Sequence, residues 1–412
     1  MKKSKIIAGR LVVLYLLSAI TAFPFAAAGS AAFTPPGSTR QQSFSFAVYG
    51  DIQDNHDDGH RSLVRQMAKE PVSLVFNTGG ISNDGGADYQ TEFYPVAEEL
   101  LKSVPYFPAV GNHDIRWNSP GSRIRFRDFF RNSYDYLARL PINRHLKPVV
   151  GNQRLWYAFT YNDVLFVVLD SNLFIDEGKY RRTHSFPEYE GYAEEQLIWV
   201  RDLLTKSQGD ESIKAAFVFF HHSPFVSEEN ERKIPFLPIG GHPGHGEMVV
   251  NQQVPGERQG ERMYLLDLFR KTRVNAVFTG HEHYYERWTE VIRQGGRPQH
   301  QINWVVNGMG GVTPRGKPEY EESELDALVS KKEHFVAHRE RISSGNPTWS
   351  SEFRHAFPND RQPEARFHNY MVVTIDGPVI RFETKDVTGK VRDQGYFSLE
   401  IRSRQSTLSP VE

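Results

Sequence analysis

The chain has 412 residues, 39% of them hydrophobic and 24% charged, which excludes a wholly disordered protein and leaves room for one large domain or two ordinary ones. Its formal net charge is −1, so it has no overall basic field and no nucleic-acid partner is expected. It contains no cysteine, which excludes disulfides, thiolate metal sites and cysteine nucleophiles, and leaves any metal to its 16 histidines and to oxygen ligands.

The first 28 residues have the pattern of an export signal. Basic residues precede an apolar run from Leu11 to Ala22, and small residues around Ala28 then supply a cleavage site. A retained membrane anchor is the alternative, although the run is short for a stable span. We therefore predict a signal peptide over 1–28, a linker over 29–43, and a periplasmic or secreted mature protein with no membrane partner.

Short apolar runs recur from residue 44 onward, and they predict strands that are buried on both faces. Helical periodicity between them predicts helices over Tyr94–Lys102, Glu194–Leu204 and Arg262–Lys271. This alternation of strands and helices is typical of a layered α/β core. The predicted strands are Phe44–Tyr49, Val72–Phe76, Tyr106–Val110, Val164–Leu169, Ala215–Phe220 and Val274–Phe278.

The C-terminal part of the chain begins with a polar segment, 313–365, which we interpret as an insertion with one helix near Glu321–Glu340. Antiparallel strands that complete a sheet are then expected, with an Asp376-Gly377 turn between the first two. These strands are Tyr370–Ile375, Val379–Thr384 and Gly395–Ile401. The predicted domain therefore spans 44–404, and 405–412 is a tail.

Side chains that bind metals follow four of the predicted strands. Ligands in α/β sheets bind beyond the carboxyl ends of the strands, so these four strand ends are expected to meet in one site. Each motif alone is weak, because a histidine after a strand is more often a hydrogen-bonded loop residue than a ligand. The residues concerned are Asp51, Asn112, His113, His221, His222, His281 and His283.

The order of these motifs resembles the calcineurin-like metallophosphoesterase superfamily, which includes the purple acid phosphatases. The motifs that carry the resemblance are Gly50–Gln53, Gly111–Asp114, His221 and Gly280–His283, within a similarity that covers roughly residues 44 to 400. The resemblance implies an α/β fold, a layered β-sandwich of two mixed sheets flanked by helices in four αββα layers. It also implies hydrolysis of phosphate esters by metal-activated water, with a small phosphate ester as the substrate.

The resemblance further implies two divalent metal ions, with Fe, Mn, Zn and Mg all left open. One ion would take Asp51, His283 and Gln53, where Gln53 stands in place of the histidine that many members have. The other ion would take Asn112, His221 and His281. Gln53 is a neutral oxygen ligand that suits harder cations better than zinc.

Three histidines have roles beyond, or in competition with, these ligand sets. His113 is expected to face the phosphate and to protonate the leaving oxygen, with Asp114 as its orienting partner. His245 is a candidate catalytic residue in a Gly-rich loop, which could equally be a surface loop. His222 is the alternative to His221 as ligand: Phe225, four residues on, favours His221, whereas a His-x-Pro reading favours His222.

Gly80 departs from the family pattern, because it occupies the position of the aspartate that would bridge the two ions. Without this carboxylate, two dications lie close together with less neutralisation of their charge. The principal hypothesis is a metal-dependent phosphoesterase. The alternative is a catalytically impaired member that acts as a phosphate-ligand or protein-binding module.

Overall fold

The structure is a computed structural model. The predicted signal peptide, the predicted linker up to residue 42, the helix near Glu321–Glu340, His245 and the tail lie outside the residues that it describes. Among the described residues, no helix is both long enough and apolar enough to cross a membrane. The described residues are 43–53, 58–115, 121–137, 155–174, 191–224, 253–255, 262–294, 297–312, 349–355 and 367–397.

The first sheet contains, among these residues, six strands in the order β15-β14-β13-β1-β2-β3. The chain enters at its centre with β1, which pairs in parallel with β2 on one side and antiparallel with β13 on the other. The parallel half therefore carries the first three strand ends, and the antiparallel half closes the sheet. The strands are β1 Phe44–Tyr49, β2 Leu74–Asn77, β3 Tyr106–Pro108, β13 Asn369–Asp376, β14 Val379–Asp386 and β15 Val391–Phe397.

The second sheet contains seven strands within the described ranges, in the order β12-β10-β11-β9-β6-β5-β4. Its central strands β5, β6, β9 and β11 run parallel to one another, and the strands β4, β10 and β12 outside them pair antiparallel. A separate two-stranded antiparallel sheet is formed by β7 Gln253–Pro255 and β8 Arg262–Tyr264. The strands are β4 Tyr157–Tyr161, β5 Val164–Val168, β6 Ala215–His222, β9 Ala276–Gly280, β10 Tyr285–Gln294, β11 Arg297–Asn307 and β12 Trp349–His355.

Phenylalanine rings fill the space between the two sheets. Phe76 on β2 stacks on Phe219 of β6, with ring centroids 4.1 Å apart and planes 7° apart. Phe219 stacks in turn on Phe278 of β9 at 5.1 Å, and Phe46 on β1 meets these rings edge-on. Each ring is fully buried. Because large aromatic side chains bury much apolar surface and pack in defined geometries, this cluster locks the two sheets face to face.

Helices cover the outer faces of the sheets. On the second sheet, apolar residues of α5 and α6 pack with the outward residues of β5 and β6. The helix α2 carries a proline in its first turn and ends at Ser103, and the next residue, Val104, is extended, as expected of a residue before Pro105. The helices are α1 Asp58–Met67, α2 Tyr94–Ser103, α3 Ser122–Phe129, α4 Arg131–Leu137, α5 Tyr192–Gln208 and α6 Leu265–Lys271.

The predicted fold class is confirmed: two mixed sheets are flanked by helices in an α/β architecture. The predicted turn at Asp376-Gly377 joins β13 to β14, with Gly377 at a φ of 58°. One helix differs from the prediction, since Arg262–Tyr264 belongs to a strand and the helix begins at Leu265. The segment 313–365 also contributes β12, a strand that the sequence did not predict.

Candidate metal centre

The carboxyl ends of strands from both sheets converge on one site. The first sheet delivers three short segments, after β1, β2 and β3, and the second sheet delivers the ends of β6 and β9. We call this the strand-end site. All of its side chains are buried or nearly so, apart from that of His281, which is half-buried. The strand-end site consists of Asp51, Gln53, Asn112, His221, His222, His281 and His283.

His221 and Asn112 face each other across the two sheets. Burial lowers the pKa of His221 to about 3, so its imidazole is neutral and carries a single proton. Nδ1 lies 2.9 Å from the carbonyl oxygen of Thr78 and donates that proton to it. Nε2 then presents a lone pair to Asn112 Oδ1, also at 2.9 Å. Two ligand atoms about 2.1 Å from one ion at a right angle are about 3 Å apart, so a divalent cation fits this pair.

The Asp51 carboxylate lies between the histidines of the two strand ends. Its Oδ1 is 3.9 Å from His221 Nε2 and 3.8 Å from His283 Nε2. Its Oδ2 accepts the backbone N–H of His281 at 2.8 Å. Both Asp51 and His281 have positive φ, at 56° and 72°. Backbone strain of this kind is typical of functional sites.

Gln53 and His283 form the other side of the site. Gln53 Nε2 donates to His283 Nε2 at 3.3 Å, which requires that this ring nitrogen carries no proton. Gln53 Oε1 is buried and has no hydrogen-bond partner among the described residues. A buried polar atom without a partner carries a desolvation penalty that a bound cation would remove. The donor set therefore fits a cation here also.

Gly80 stands directly beside these ligands. A Cβ on this residue would come 2.6 Å from Asp51 Oδ1 and 2.8 Å from Gln53 Oε1. The two oxygens thus occupy the space that the first atom of a side chain would take. With a φ of 71°, the residue also lies in the left-handed region that favours glycine.

Asp114 anchors the loop that carries Gly80. Its carboxylate accepts the backbone N–H groups of Gly80, Ile81 and Ser82 at 2.9–3.0 Å, and that of Gly111 at 2.7 Å. Tyr89 Oη donates a further bond at 3.0 Å. Burial raises the pKa of Asp114 to about 6, although these hydrogen bonds oppose the shift. Asp114 thus positions the loop after β2, and its role as a partner of His113 stays a prediction.

His113 lies in the turn after β3 and is half-buried, and its carbonyl oxygen accepts the N–H of Gly85 at 3.1 Å. Its positive form would disfavour protonation of His221, which puts the two rings within electrostatic reach. A catalytic role for His113 remains a prediction, as does the role of His245, which lies outside the described residues.

His222 lies beside the predicted ligands, and its ring centroid is 4.4 Å from that of His281. One nitrogen of each of His221, His222 and His281 lies within 4.8 Å of the other two. The sheet register shifts between Phe219 and His222, so the two consecutive histidines do not simply alternate across the sheet. The sequence left His221 and His222 as alternatives, and the structure brings both to the site.

Ser171 was not among the predicted site residues, yet it contacts both histidines. Its Oγ accepts the backbone N–H groups of His221 and His222 at 3.2 and 3.1 Å, and it lies 2.9 Å from His222 Nδ1. The neighbouring Asp170 forms a buried ion pair with Arg123. A signal existed in the sequence, because Asp170 and Ser171 follow the strand β5 as the predicted ligands follow theirs.

A family model described as calcineurin-like phosphoesterase matches residues 44–285, more than half of the chain. Purple acid phosphatase 21 from Arabidopsis thaliana is 24% identical over 279 residues, which make up 68% of this chain and 52% of that protein. The chain thus spans about half the length of this curated relative.

Solved structures also resemble the chain. Purple acid phosphatase PPD1 from yellow lupin (Lupinus luteus) seeds matches with a TM-score of 0.50 and 16% identity, covering 90% of this chain and 58% of that chain. A dimetal phosphatase from Danio rerio matches with a TM-score of 0.48 and 14% identity, covering 87% of this chain and 99% of that chain. The lupin structure supports the fold described above.

Proposed function

Because the chain belongs to the calcineurin-like phosphoesterase family, we propose that it hydrolyses phosphate esters with water at the strand-end site. The observation that carries the proposal is the pair formed by His221 Nε2 and Asn112 Oδ1, 2.9 Å apart, with Asp51 Oδ1 nearby. Two neutral ligand atoms and one carboxylate, drawn from both sheets, converge where a divalent cation fits. A site with only a structural role would not need this set.

The family uses divalent metals, and the residues that would hold them here are those of the strand-end site. When bound, such cations polarise a phosphate ester and lower the pKa of water. The chain's own residues supply orientation: Thr78 fixes the tautomer of His221, and Asp114 holds the Gly80 loop in place. His113 is proposed to stabilise charge on the phosphate and to deliver a proton to the leaving oxygen.

The test is turnover of chromogenic phosphate monoesters and diesters by the purified chain, loaded in turn with Mn, Zn, Fe and Mg. We expect turnover with at least one of these metals and loss of turnover on chelation. His113→Ala should lower kcat by roughly 100-fold or more, the usual scale for an acid–base group, while metal content stays unchanged. Absence of turnover of both ester classes with every metal would refute the enzyme proposal.

One observation favours a second candidate function, a phosphate-ligand or protein-binding module. Gly80 provides no bridging carboxylate, so the remaining ligands neutralise two cations poorly. Under this alternative the loaded protein binds inorganic phosphate or a partner protein without turning over any ester. Titration calorimetry with inorganic phosphate, alongside the turnover assay, separates the two functions.

A further inference from the structure

We propose that His222 ligates the same cation as His221 and His281, so that the chain holds one tightly bound divalent ion in a three-histidine site. The inference deepens the proposed function, since it names the cation site on which that function rests. It departs from the ligand sets expected from the sequence, which used only one of the two consecutive histidines and assumed two ions.

The first argument is proximity. One nitrogen of each of the three rings lies within 4.8 Å of the other two. Two ligands about 2.1 Å from one ion are at most about 4.2 Å apart, so a small rotation of one ring brings all three nitrogens into range. The ring centroid of His221 is 4.9 Å from that of His222 and 5.2 Å from that of His281. Neither of these two rings is parallel to the ring of His221. The three rings are therefore close together without stacking in parallel on one another.

The second argument is the anchoring of the rings. Thr78 O binds Nδ1 of His221, and Ser171 Oγ lies at Nδ1 of His222, both at 2.9 Å. A ligating histidine is usually held in this way through its other nitrogen, which fixes both tautomer and ring orientation. With the cation bound, Nε2 of His222 must offer its lone pair, so Nδ1 carries the proton and donates it to Ser171 Oγ. That oxygen has two lone pairs, so it then gives up one of its two longer bonds from the backbone N–H groups of His221 and His222. His221 and His222 are thus both held with Nε2 as the ligand atom.

The third argument is the contrast with the other side of the site. Asp51, Gln53 and His283 remain there, and Gly80 adds no carboxylate. Asp51 is thus the one carboxylate in the predicted ligand sets, and two dications 3.5–4 Å apart would share it. Its Oδ1 lies 3.9 Å from His221 Nε2, within reach of the three-histidine ion. The repulsion between two ions is then poorly offset, and the second ion binds weakly.

Cobalt titration of the metal-free full chain tests the proposal. We expect one tightly bound Co²⁺ per chain by elemental analysis after dialysis, and a second only at much higher concentration. At one Co²⁺ per chain, proton NMR should show three hyperfine-shifted, exchangeable imidazole N–H signals. Two signals, or two ions of equal affinity, would overturn the proposal. Because the wild-type chain is used, this measurement does not depend on the folding of any variant.

A pair of matched variants gives a second test. His222→Gln should weaken Co²⁺ affinity by roughly 100-fold or more, beyond the 10–100-fold usual for loss of an outer partner. His300→Gln is the control and should leave Co²⁺ affinity unchanged. His300 is also a buried histidine, lies 2.7 Å from the carbonyl oxygen of Val274, and is not part of the strand-end site. Wild-type cobalt affinity in His222→Gln would overturn the proposal. Failure of ester turnover with one Co²⁺ still bound would instead count against the proposed function alone.

Discussion

Gly80 stands where the sequence resemblance predicts an aspartate that bridges two metal ions. Its backbone is left-handed, and a Cβ there would approach the side-chain oxygens of Asp51 and Gln53 and, at 3.2 Å, the Cα of Asp51. Both side chains are buried, so they must shift to admit a new side chain. A carboxylate can therefore be restored at this position, at a cost in stability.

The variant Gly80→Asp tests this idea against Gly80→Ala. Both variants place the same Cβ at a φ of 71° and against the same two oxygens, so each should lose at least about 1–2 kcal/mol in the free energy of unfolding. Only the aspartate adds a bridging charge, so only that variant should take up a second tightly bound Co²⁺ and gain turnover. Urea unfolding and elemental analysis measure the two effects. Equal metal content in the two variants would show that position 80 does not face the ions.

The residues that meet in the strand-end site could be found in the sequence because each follows a buried strand, and the ends of such strands meet at one edge. That Asp51, Asn112 and His281 bind metal stays a prediction. The sequence favoured His221 and kept His222 as the alternative, because the presence of both at the site depends on a register shift in β6 that no local residue pattern signals. Ser171 was missed because a hydroxyl is a weak indicator of a metal site.

At the scale of elements, a buried ion pair joins the second sheet to the helix α6. Arg270 on α6 pairs with Glu290 on β10 at 2.6 Å, and Trp304 Nε1 on β11 donates to the same carboxylate at 3.1 Å. All three residues are at least 95% buried. Breaking one partner of such a pair leaves an uncompensated charge in the core.

We expect Arg270→Met to lower the free energy of unfolding by about 3–5 kcal/mol, because the buried carboxylate of Glu290 then loses the guanidinium that is paired with it. The double variant Arg270→Met with Glu290→Gln should recover much of this loss, since the amide keeps an acceptor for Trp304 and carries no charge. Denaturant unfolding of the wild type, both single variants and the double variant gives the coupling. A loss below about 1 kcal/mol in Arg270→Met would contradict the argument.

The predicted elements were most accurate where strands are buried on both faces, because continuous apolar runs mark them. The strands β10 and β11 were missed since their sequences, YERWTEVIRQ and RPQHQINWVVN, mix charged and apolar residues. The error at Arg262 has a similar origin. The apolar residues of the short strand β8 have a spacing that fits the helix after it, so the periodicity does not show where the helix begins.

For the whole molecule, acid stability depends on groups that fold in neutral form. His60 on α1 is fully buried, with its ring stacked between Tyr49 and Phe93 at 5.9 and 6.0 Å. Neither ring nitrogen has a hydrogen-bond partner among the described residues. Burial, with smaller effects of the charges on Arg61 and His368, lowers the pKa of His60 to about 3 from 6.5.

Between pH 6.5 and 3 the unfolded chain therefore binds a proton at His60 that the folded chain does not. Stability from this group is present above pH 6.5 and falls as the pH is lowered, by about 1.4 kcal/mol per pH unit. The variant His60→Phe keeps the aromatic stack and removes the titration. Its free energy of unfolding should fall less steeply with acid over this window. Parallel pH profiles for wild type and variant would refute the assignment.

The strand-end site draws Asp51 and Asn112 from one sheet and His221 and His281 from the other, at one edge of the phenylalanine cluster that packs the two sheets together. An ion held there would be bound by residues of both sheets and would cross-link them. Binding of the ion to the folded form and the stability of this edge against local unfolding are then linked, because the ligands are brought together only when the two sheets are packed. Chelation of the ion should therefore destabilise the strand ends around the site first, while the stacked phenylalanines between the sheets stay packed.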